Sequence, residues 1–314
     1  MCPTPIPQAE VRVPENFSVP RRLMSGLLLV DKPVGVTSHG VVARVRRAAN
    51  TKAVGHAGTL DPFATGLLVI AVGHATRLLP YLDDEPKVYE ATFRFGFETD
   101  TEDATGIETK SAPLPDWSQL SSAIAALSGA ISQIPPAYSA KHIDGERAYK
   151  KARRGEVVEL APVAITVHQW NVRERRPDAL DVVITCGGGT YIRSLARDLG
   201  RLLKSAAHCQ TLRRVQSGKC SVGSAIAFET LERGAIANGH INLQSPLFAL
   251  QEMSKIVLSS DDEIHIRHGR SIEAPPNGVR AVLVDEHDHV VSIANRNEAN
   301  RWQPRVVLPA DAAE

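Results

Sequence analysis

Residues 55–72 read GHAGTLDPFATGLLVIAV, a glycine-rich stretch that runs directly into six apolar residues. Three glycines among small side chains indicate a tight, irregular loop whose backbone can approach a ligand closely. The apolar run at 67–72 has the length of a buried strand. Asp61 lies between loop and strand, and His56 precedes it by five residues. The stretch therefore predicts a rigid strand with a candidate reactive carboxylate at its entrance.

A structural role for Asp61 competes with this catalytic one. An aspartate before a proline is typical of a helix N-cap followed by proline at the first helical position. Gly66 would end such a helix after about one turn, and Pro62 disfavours a helical conformation at the residue before it. The residues alone leave both interpretations open.

Apolar patterning outside this stretch predicts strands and helices in irregular alternation. Strands are expected over residues 26–31, 67–72, 88–95 and 179–186. Helices are expected after a Ser38 N-cap, with Val41, Val42, Val45 and Ala49 on one face, and over residues 192–203. Because the two kinds of element do not alternate in a regular βαβ order, the sequence favours an α+β fold with a mixed or antiparallel central sheet and flanking helices.

Composition divides the chain into three parts. Residues 1–24 contain five prolines and are expected to form a flexible leader. Residues 25–240 carry the patterned segments, and 231–250 lack patterning and indicate a connector. Residues 250–312 contain short predicted strands at 255–258, 280–285 and 289–294 between turn residues, which is typical of a small β unit.

Length and composition exclude several classes of protein. The 314 residues are 43% hydrophobic and 23% charged, as in an ordinary globular protein. The apolar runs fall far short of the roughly 20 residues that a membrane-spanning helix needs, and the N-terminus lacks the apolar segment of a secretory signal. The four cysteines show no paired spacing. We therefore expect a cytoplasmic protein that is not bound to a membrane.

Charge is balanced overall but segregated along the chain. The net charge is +1; basic clusters lie at 44–52, 141–154 and 193–214, and acidic clusters at 83–85, 98–108 and 261–263. Such segregation favours one basic face and a nucleic-acid partner. Ordinary solvated helix faces explain the same pattern equally well.

Arg193 is unusually placed at the start of a predicted helix. The glycines at 187–189 precede that helix, but neither they nor residues 55–66 fit a nucleotide-binding motif. The helix dipole opposes a cation in the first turn, and a nearby carboxylate or phosphate would reverse that cost. Arg197 and Arg201 follow at four-residue spacing, for which a solvated basic stripe is the preferred interpretation.

Three other sets of residues have mainly structural interpretations. Tyr89 lies on the more apolar face of its strand and is expected in the core, although an exposed ring can stack on a base. Leu212 is a core residue by its type. His287 and His289 are expected in an exposed turn, and no metal site is predicted.

Six blocks of sequence together resemble one family. They are GHAGTLDPFATG at 55–66, LVDKP at 29–33, IPPAYSA at 134–140, GERAY at 145–149, GTYIR at 189–193 and LRR at 212–214. Along the chain they occur in the order of the TruB family of tRNA pseudouridine synthases, which the sequence resembles over about 25–230. The tail at 250–312 is similar, less closely, to the small PUA-like RNA-binding β domain that often follows. The leader matches nothing.

The resemblance implies a fold, an activity and a set of site residues. It implies the pseudouridine synthase fold and an isomerase that converts uridine 55 in the T-loop of tRNA into pseudouridine. By matching position, Asp61 resembles the essential aspartate, a nucleophile or base, and Arg193 the arginine that pairs with it. Tyr89 resembles the tyrosine that stacks on the target base and assists proton transfer. The remaining matches are His56, which would hold the flipped-out T-loop, and Tyr191 and Leu212, which would wall the uracil pocket.

The resemblance also implies what the enzyme uses. The isomerisation involves no net redox change and no added group, so no metal or cofactor is expected. The expected partner is the T-arm stem-loop of tRNA, bound by a monomer that requires no protein partner. Gly188 and His142 stand where lysines are common in the family, which puts RNA affinity in doubt more than chemistry.

Two other classes of function compete with this one. An RNA-binding protein that has lost catalysis would share the fold, but Asp61, Tyr89 and Arg193 are all intact. A phosphohydrolase that uses Asp61 would need a divalent metal, and further carboxylates do not lie near that loop in sequence. A guide-RNA-dependent relative would share the motifs; the chain has no long lysine-rich tail, which favours a stand-alone enzyme.

Overall fold

The computed structural model describes residues 25–82, 86–139, 142–143, 146–147, 154, 156, 160–275 and 278–310. The predicted leader, the acidic cluster at 83–85, and most of the basic cluster at 141–154 and of the motif at 145–149 lie outside the described residues, as does the side chain of His142. The helices are α1 (Ser38–Ala49), α2 (Leu120–Ala126), α3 (Ile192–Leu202) and α4 (Ser260–Arg267).

Eighteen strands lie in the described part of the chain. They are β1 (Gly26–Lys32), β2 (Val54–Ala57), β3 (Thr65–Val72), β4 (Lys87–Phe95), β5 (Phe97–Thr99), β6 (Glu108–Ser111), β7 (Gly129–Gln133), β8 (His142–Ile143), β9 (Glu146–Arg147), β10 (Val163–Arg176), β11 (Ala179–Cys186), β12 (Ala207–Ser217), β13 (Cys220–Ser221), β14 (Ile226–Ala227), β15 (Ser254–Val257), β16 (Arg280–Val284), β17 (Val290–Arg296) and β18 (Trp302–Val307). Short 3₁₀ helices span Gly73–Tyr81, Trp117–Gln119, Val222–Ser224, Phe228–Thr230 and Pro246–Leu250.

The central sheet is mixed, as predicted. Its order is β14-β1-β3-β12-β4-β11-β10-β7, with β2 paired to β3 and β13 paired to β12. β3 and β12 are parallel, whereas β1–β3, β12–β4 and β4–β11 are antiparallel. In β4 the alternation of buried and more exposed residues follows the predicted pattern. The α+β architecture with flanking helices is therefore confirmed.

Helix α1 begins at the predicted place, but the predicted cap is wrong by one residue. The Thr37 hydroxyl, not that of Ser38, accepts a hydrogen bond from the Gly40 N–H at 2.9 Å. Ser38 is buried instead, and its hydroxyl bonds both the N–H and the C=O of Leu60, each at 2.9 Å. Because Leu60 precedes Asp61, this contact ties the start of α1 to the glycine-rich loop.

Residues 254–307 form a separate four-stranded sheet in the order β15-β16-β17-β18. Three of its strands were predicted, and the β-rich character of this unit is confirmed; the helix α4 between β15 and β16 was not predicted. Ile266 is the one buried residue of α4, so the sequence of this helix shows little apolar periodicity. In β18, Pro304 interrupts the alternation that would predict a strand. Among the described residues, no helix is both long and apolar enough to span a membrane.

Candidate active site

The Asp61 loop is irregular, and hydrogen bonds from the end of β1 and the segment after it hold it in place. No helix begins at Asp61 in the described structure, so the N-cap interpretation is wrong. The Pro62 carbonyl accepts a hydrogen bond from the Gly35 N–H at 2.8 Å and lies 3.4 Å from the Lys32 ammonium. That ammonium also donates to the Val36 carbonyl at 2.7 Å. The loop conformation is therefore fixed by the segment that leaves β1.

Asp61 and Arg193, 132 positions apart in sequence, form an ion pair. Arg193 Nε lies 2.9 Å from Asp61 Oδ2, with 4% of the arginine side chain exposed and 34% of the aspartate. The guanidinium also donates to the carbonyls of Thr101, at 2.7 Å, and Tyr138, at 3.0 Å. The arginine is thus locked in place, while its carboxylate partner stays accessible to a ligand.

A second carboxylate, Asp103, faces the same guanidinium. It is buried, and its Oδ2 lies 3.8 Å from Arg193 Nη1. Its Oδ1 accepts hydrogen bonds from the Thr101 hydroxyl at 2.8 Å and from the hydroxyl and N–H of Thr105 at 2.6 and 2.9 Å. Asp103 was not predicted as a site residue, and the acidic run at 98–108 was the one signal for it in the sequence.

These charges perturb one another. Burial raises the pKa of Asp61, Arg193 opposes that shift, and Asp103 adds to it. Burial lowers the pKa of Lys32 to about 8, against an opposing effect of the Asp61 charge. A carboxylate with a raised pKa beside a fixed cation is a stronger base than a solvated one and still retains its charge partner.

Tyr89 and Leu212 lie in one buried apolar cluster with the residues that flank Asp61. Both side chains are buried, and the cluster contains Leu60 and Ala64 from the glycine-rich loop and Ile192 from the start of α3. The sheet therefore brings the predicted pocket residues beside the loop and the helix that carry the ion pair.

Tyr191 immediately precedes α3 and is held by its backbone. The Gln133 side chain accepts a hydrogen bond from the Tyr191 N–H at 2.9 Å and donates to its C=O at 3.0 Å. Tyr191 offers no side-chain cap of its own, so this amide orients the first turn of the helix. Burial raises the pKa of the Tyr191 phenol, which therefore stays protonated at neutral pH.

His56 lies in β2 and is half-buried. Burial lowers its pKa, and the nearby charges of His39 and Arg214 act in the same direction. The His39 ring stands edge-on at 6.4 Å between centroids. The imidazole is therefore neutral at pH 7. It can contact a ligand through its ring, but not through a positive charge.

The solvated basic stripe predicted for α3 is wrong for Arg197, which is buried, whereas Arg201 is exposed as predicted. Arg197 is 7% exposed and pairs with Glu102 and Asp198. Arg201 is half-exposed and forms a bidentate ion pair with Glu98, in which its Nε and Nη2 donate to the two carboxylate oxygens at 2.9 and 2.8 Å. Arg197 is therefore covered by the acidic segment at 98–102, a contact that the position of this segment in the sequence does not reveal.

Two more arginines of the 193–214 cluster are held by contacts within the protein. Arg213 pairs with Asp31 at 2.7 Å. Arg214 is buried and donates to the carbonyls of Leu67 at 2.8 Å and Gly58 at 3.1 Å. Arg214, like Arg193 and Arg197, is therefore buried and fixes the site instead of contributing to a basic face. Because that face was predicted from three clusters together and most of residues 141–154 lie outside the described part of the chain, it stays a prediction.

The C-terminal histidines occupy a turn, as predicted. The Asp285 carboxylate accepts hydrogen bonds from the N–H groups of His287 and His289 at 2.9 and 2.8 Å. Among the described residues, no group of His, Cys, Asp or Glu side chains is arranged to hold a metal ion.

Comparison with solved structures defines the class of fold. A chain of an H/ACA ribonucleoprotein bound to a substrate RNA containing 2'-deoxyuridine has a TM-score of 0.70 over 93% of this chain and 87% of that chain, at 20% identity. A chain of the archaeal box H/ACA Nop10–Cbf5 complex has a TM-score of 0.69 over 93% of this chain and 88% of that one, also at 20% identity. The protein has the pseudouridine synthase fold.

Sequence matches define the family. Residues 46–192 match the TruB family pseudouridylate synthase N-terminal domain, and residues 193–259 the tRNA pseudouridylate synthase B C-terminal domain. A protein of Arthrobacter sp. (strain FB24) named tRNA pseudouridine synthase B is 44% identical over 260 residues, 80% of this chain and 83% of that protein. One of the same name from Thermobifida fusca (strain YX) is 41% identical over 296 residues, 91% of this chain and 99% of that protein. The chain belongs to the TruB family of pseudouridylate synthases, as its motifs predicted.

Proposed function

We propose that this chain isomerises uridine 55 in the T-loop of tRNA to pseudouridine as a stand-alone enzyme. The observation that carries the proposal is the accessible Asp61 carboxylate, paired with a locked Arg193 beside the Tyr89–Leu212 cluster. Family membership and relatives named tRNA pseudouridine synthase B support the tRNA substrate. The reaction breaks the N1–C1′ bond and forms a C5–C1′ bond on the same ribose, while C5 loses a proton and N1 gains one.

The site chemistry follows from the charges around Asp61. Removing a base from its stack costs a few kcal/mol, and the extruded uracil needs an apolar or aromatic pocket. Tyr89, Tyr191 and Leu212 supply that pocket in our proposal. Asp61 acts as nucleophile or base, and Arg193 keeps its charge in a partly dry site. His56, being neutral, supports the flipped-out loop by stacking.

The remaining parts of the proposal concern partners and domains. The reaction has no net redox change and transfers no added group, so we propose that it runs without metal or cofactor. Residues 25–240 form the catalytic unit and 250–312 a PUA-like unit that contacts the tRNA. We propose that a monomer acts in the cytoplasm and binds the T-arm stem-loop without a protein partner.

Tritium release from C5-labelled uridine in an unmodified T-arm stem-loop tests this proposal. The assay compares wild type with Asp61→Asn in EDTA, and a stem-loop with cytidine at position 55 serves as the matched RNA control. Release by wild type alone, from the uridine-55 RNA alone, is the expected result. Binding without release by either protein would indicate an RNA-binding protein or a guide-dependent enzyme, and release only after metal addition would contradict the metal-free reaction.

A further inference from the structure

Arg193 and Arg197 lie one helical turn apart on α3 and hold the same two segments of the chain. Arg193 donates to the Thr101 carbonyl at 2.7 Å and to a carbonyl of the 134–138 segment at 3.0 Å. Arg197 pairs with Glu102 and donates to another carbonyl of that segment at 2.9 Å. Arg193 is the one that reaches the catalytic carboxylate. Arg197 therefore bonds the same two segments as Arg193, one helical turn further from Asp61.

Glu102 has an unusual backbone conformation, which its contacts with α3 and β12 hold in place. Its φ is 60°, in the left-handed region that residues other than glycine seldom adopt unless their surroundings impose it. Its side chain is 13% exposed, and besides Arg197 it accepts a hydrogen bond from the Ser194 hydroxyl at 2.9 Å. Its C=O accepts from the Cys209 N–H at 3.0 Å. Both ends of the residue are thus anchored, one to α3 and the other to β12.

The neighbours of Glu102 on either side are the ones that face Arg193. Thr101 supplies a carbonyl acceptor to the guanidinium, and the Asp103 carboxylate lies 3.8 Å from it. We propose that Glu102 is a positioning residue: paired with Arg197, it fixes the loop that aims the Arg193 guanidinium at the catalytic carboxylate. This inference rests on the proposed function, because the rate it predicts is that of the same reaction.

The next turn of α3 offers a matched control. Arg201 and Glu98 also form an Arg–Glu ion pair, with two hydrogen bonds at 2.9 and 2.8 Å and a more exposed arginine. This pair lies two helical turns from Arg193, at the start of the β5–β6 hairpin rather than at its tip. Glu98→Gln therefore removes an Arg–Glu charge pair of the same helix without releasing the residues that touch Arg193.

The test uses two variants of Glu102. Glu102→Gly deletes the ion pair while glycine adopts the observed φ freely, so the fold is retained; Glu102→Gln keeps the size and removes the charge. Three quantities are measured on the full-length protein: the single-turnover rate with saturating T-arm RNA, the Kd for that RNA, and the pKa of the Asp61 carboxyl by ¹³C NMR.

We expect the rate to fall about tenfold or more in both Glu102 variants, because sub-ångström misplacement of catalytic groups is costly. The RNA Kd should stay within about twofold, since the pair lies behind the site and not on a phosphate contact. The Asp61 pKa should rise. Burial and the Asp103 charge raise this pKa, Arg193 and Lys32 lower it, and the Glu102 variants would loosen only the Arg193 contact. Glu98→Gln should leave all three quantities unchanged.

Two results would overturn the positioning role. One is a wild-type rate and a wild-type Asp61 pKa in both Glu102 variants. The other is an equal loss in Glu98→Gln, which would indicate general loosening of α3. If wild type releases no tritium from tRNA, the proposed function fails by itself. The NMR measurement still decides the positioning role in that case, because an unchanged Asp61 pKa in Glu102→Gly contradicts it.

Discussion

Replacing Arg193 with lysine keeps the positive charge but removes the planar guanidinium that spans three acceptors. The guanidinium lies 2.9 Å from the Asp61 carboxylate and donates to the carbonyls of Thr101 at 2.7 Å and Tyr138 at 3.0 Å. A lysine ammonium is a compact charge on a flexible stem and cannot reproduce that fork. The substitution should therefore leave two of the three contacts unmade.

The expected loss follows from those contacts. Each hydrogen bond to a charged group is worth about 1.5–3 kcal/mol, so two of them amount to about 3–6 kcal/mol. Part of this appears as lower stability. If half of it appears in the transition state, the barrier rises by about 1.5–3 kcal/mol, which corresponds to a rate lower by roughly 10- to 150-fold.

Single-turnover tritium release with saturating T-arm RNA measures that rate directly. Arg201→Lys is the matched control, since Arg201 lies on the same helix and its side chain is 52% exposed. The control should keep the wild-type rate within about twofold, as expected for an exposed ion pair. A wild-type rate in Arg193→Lys, with the RNA bound, would refute the need for a guanidinium. An equal fall in Arg201→Lys would assign the effect to the helix rather than to the site.

Three further outcomes are expected. Burial lowers the Lys32 pKa from 10.5 to about 8, so between those pH values the unfolded chain binds one more proton than the folded chain. The free energy of unfolding, measured by denaturant titration, should therefore rise with pH in that range relative to Lys32→Met; the same pH dependence in both proteins would contradict this. Gly66→Ala should cost about 1–3 kcal/mol more than Gly189→Ala by chemical denaturation, because both glycines have positive φ but only at Gly66 does an added Cβ come within 2.2 Å of the Arg214 carbonyl oxygen. Arg47 is exposed in the basic cluster at 44–52, so Arg47→Met should lower the slope of log Kd against log salt by about one, and an unchanged slope would remove it from the RNA interface.

The elements that sequence predicted well are those with a strong apolar period. Strand β11 has the predicted bounds, and β4 shows the predicted alternation because its two faces meet different surroundings. The misses have local causes. Thr37 and Ser38 are adjacent and both have hydroxyl groups, so sequence alone does not decide which of them caps α1. Strand β18 carries a proline, and α4 is short and mostly polar.

The site was partly readable for a different reason. Arg193 stands where a helix dipole disfavours a cation, which predicted an anion nearby, and the structure places Asp61 there at 2.9 Å. No such conflict marked Arg197, whose burial comes from a loop 95 positions away in sequence. Clusters of opposite sign that are far apart in sequence are ambiguous: they form separate surfaces or they pair. In this fold the segments at 98–103 and 193–201 pair.

The arrangement around Arg193 also decides what an Asp61 variant reports. A cation in the first turn of α3 costs about 0.3–1 kcal/mol against the helix dipole. Oxygen atoms of Asp61, Thr101, Tyr138 and Asp103 offset that cost from separate parts of the chain. Because Asp61 supplies one of these contacts, Asp61→Asn removes a charge while the two carbonyls continue to hold the guanidinium. Loss of turnover in Asp61→Asn therefore measures the chemistry of the carboxylate, whereas loss in Arg193→Lys measures how precisely that carboxylate is held.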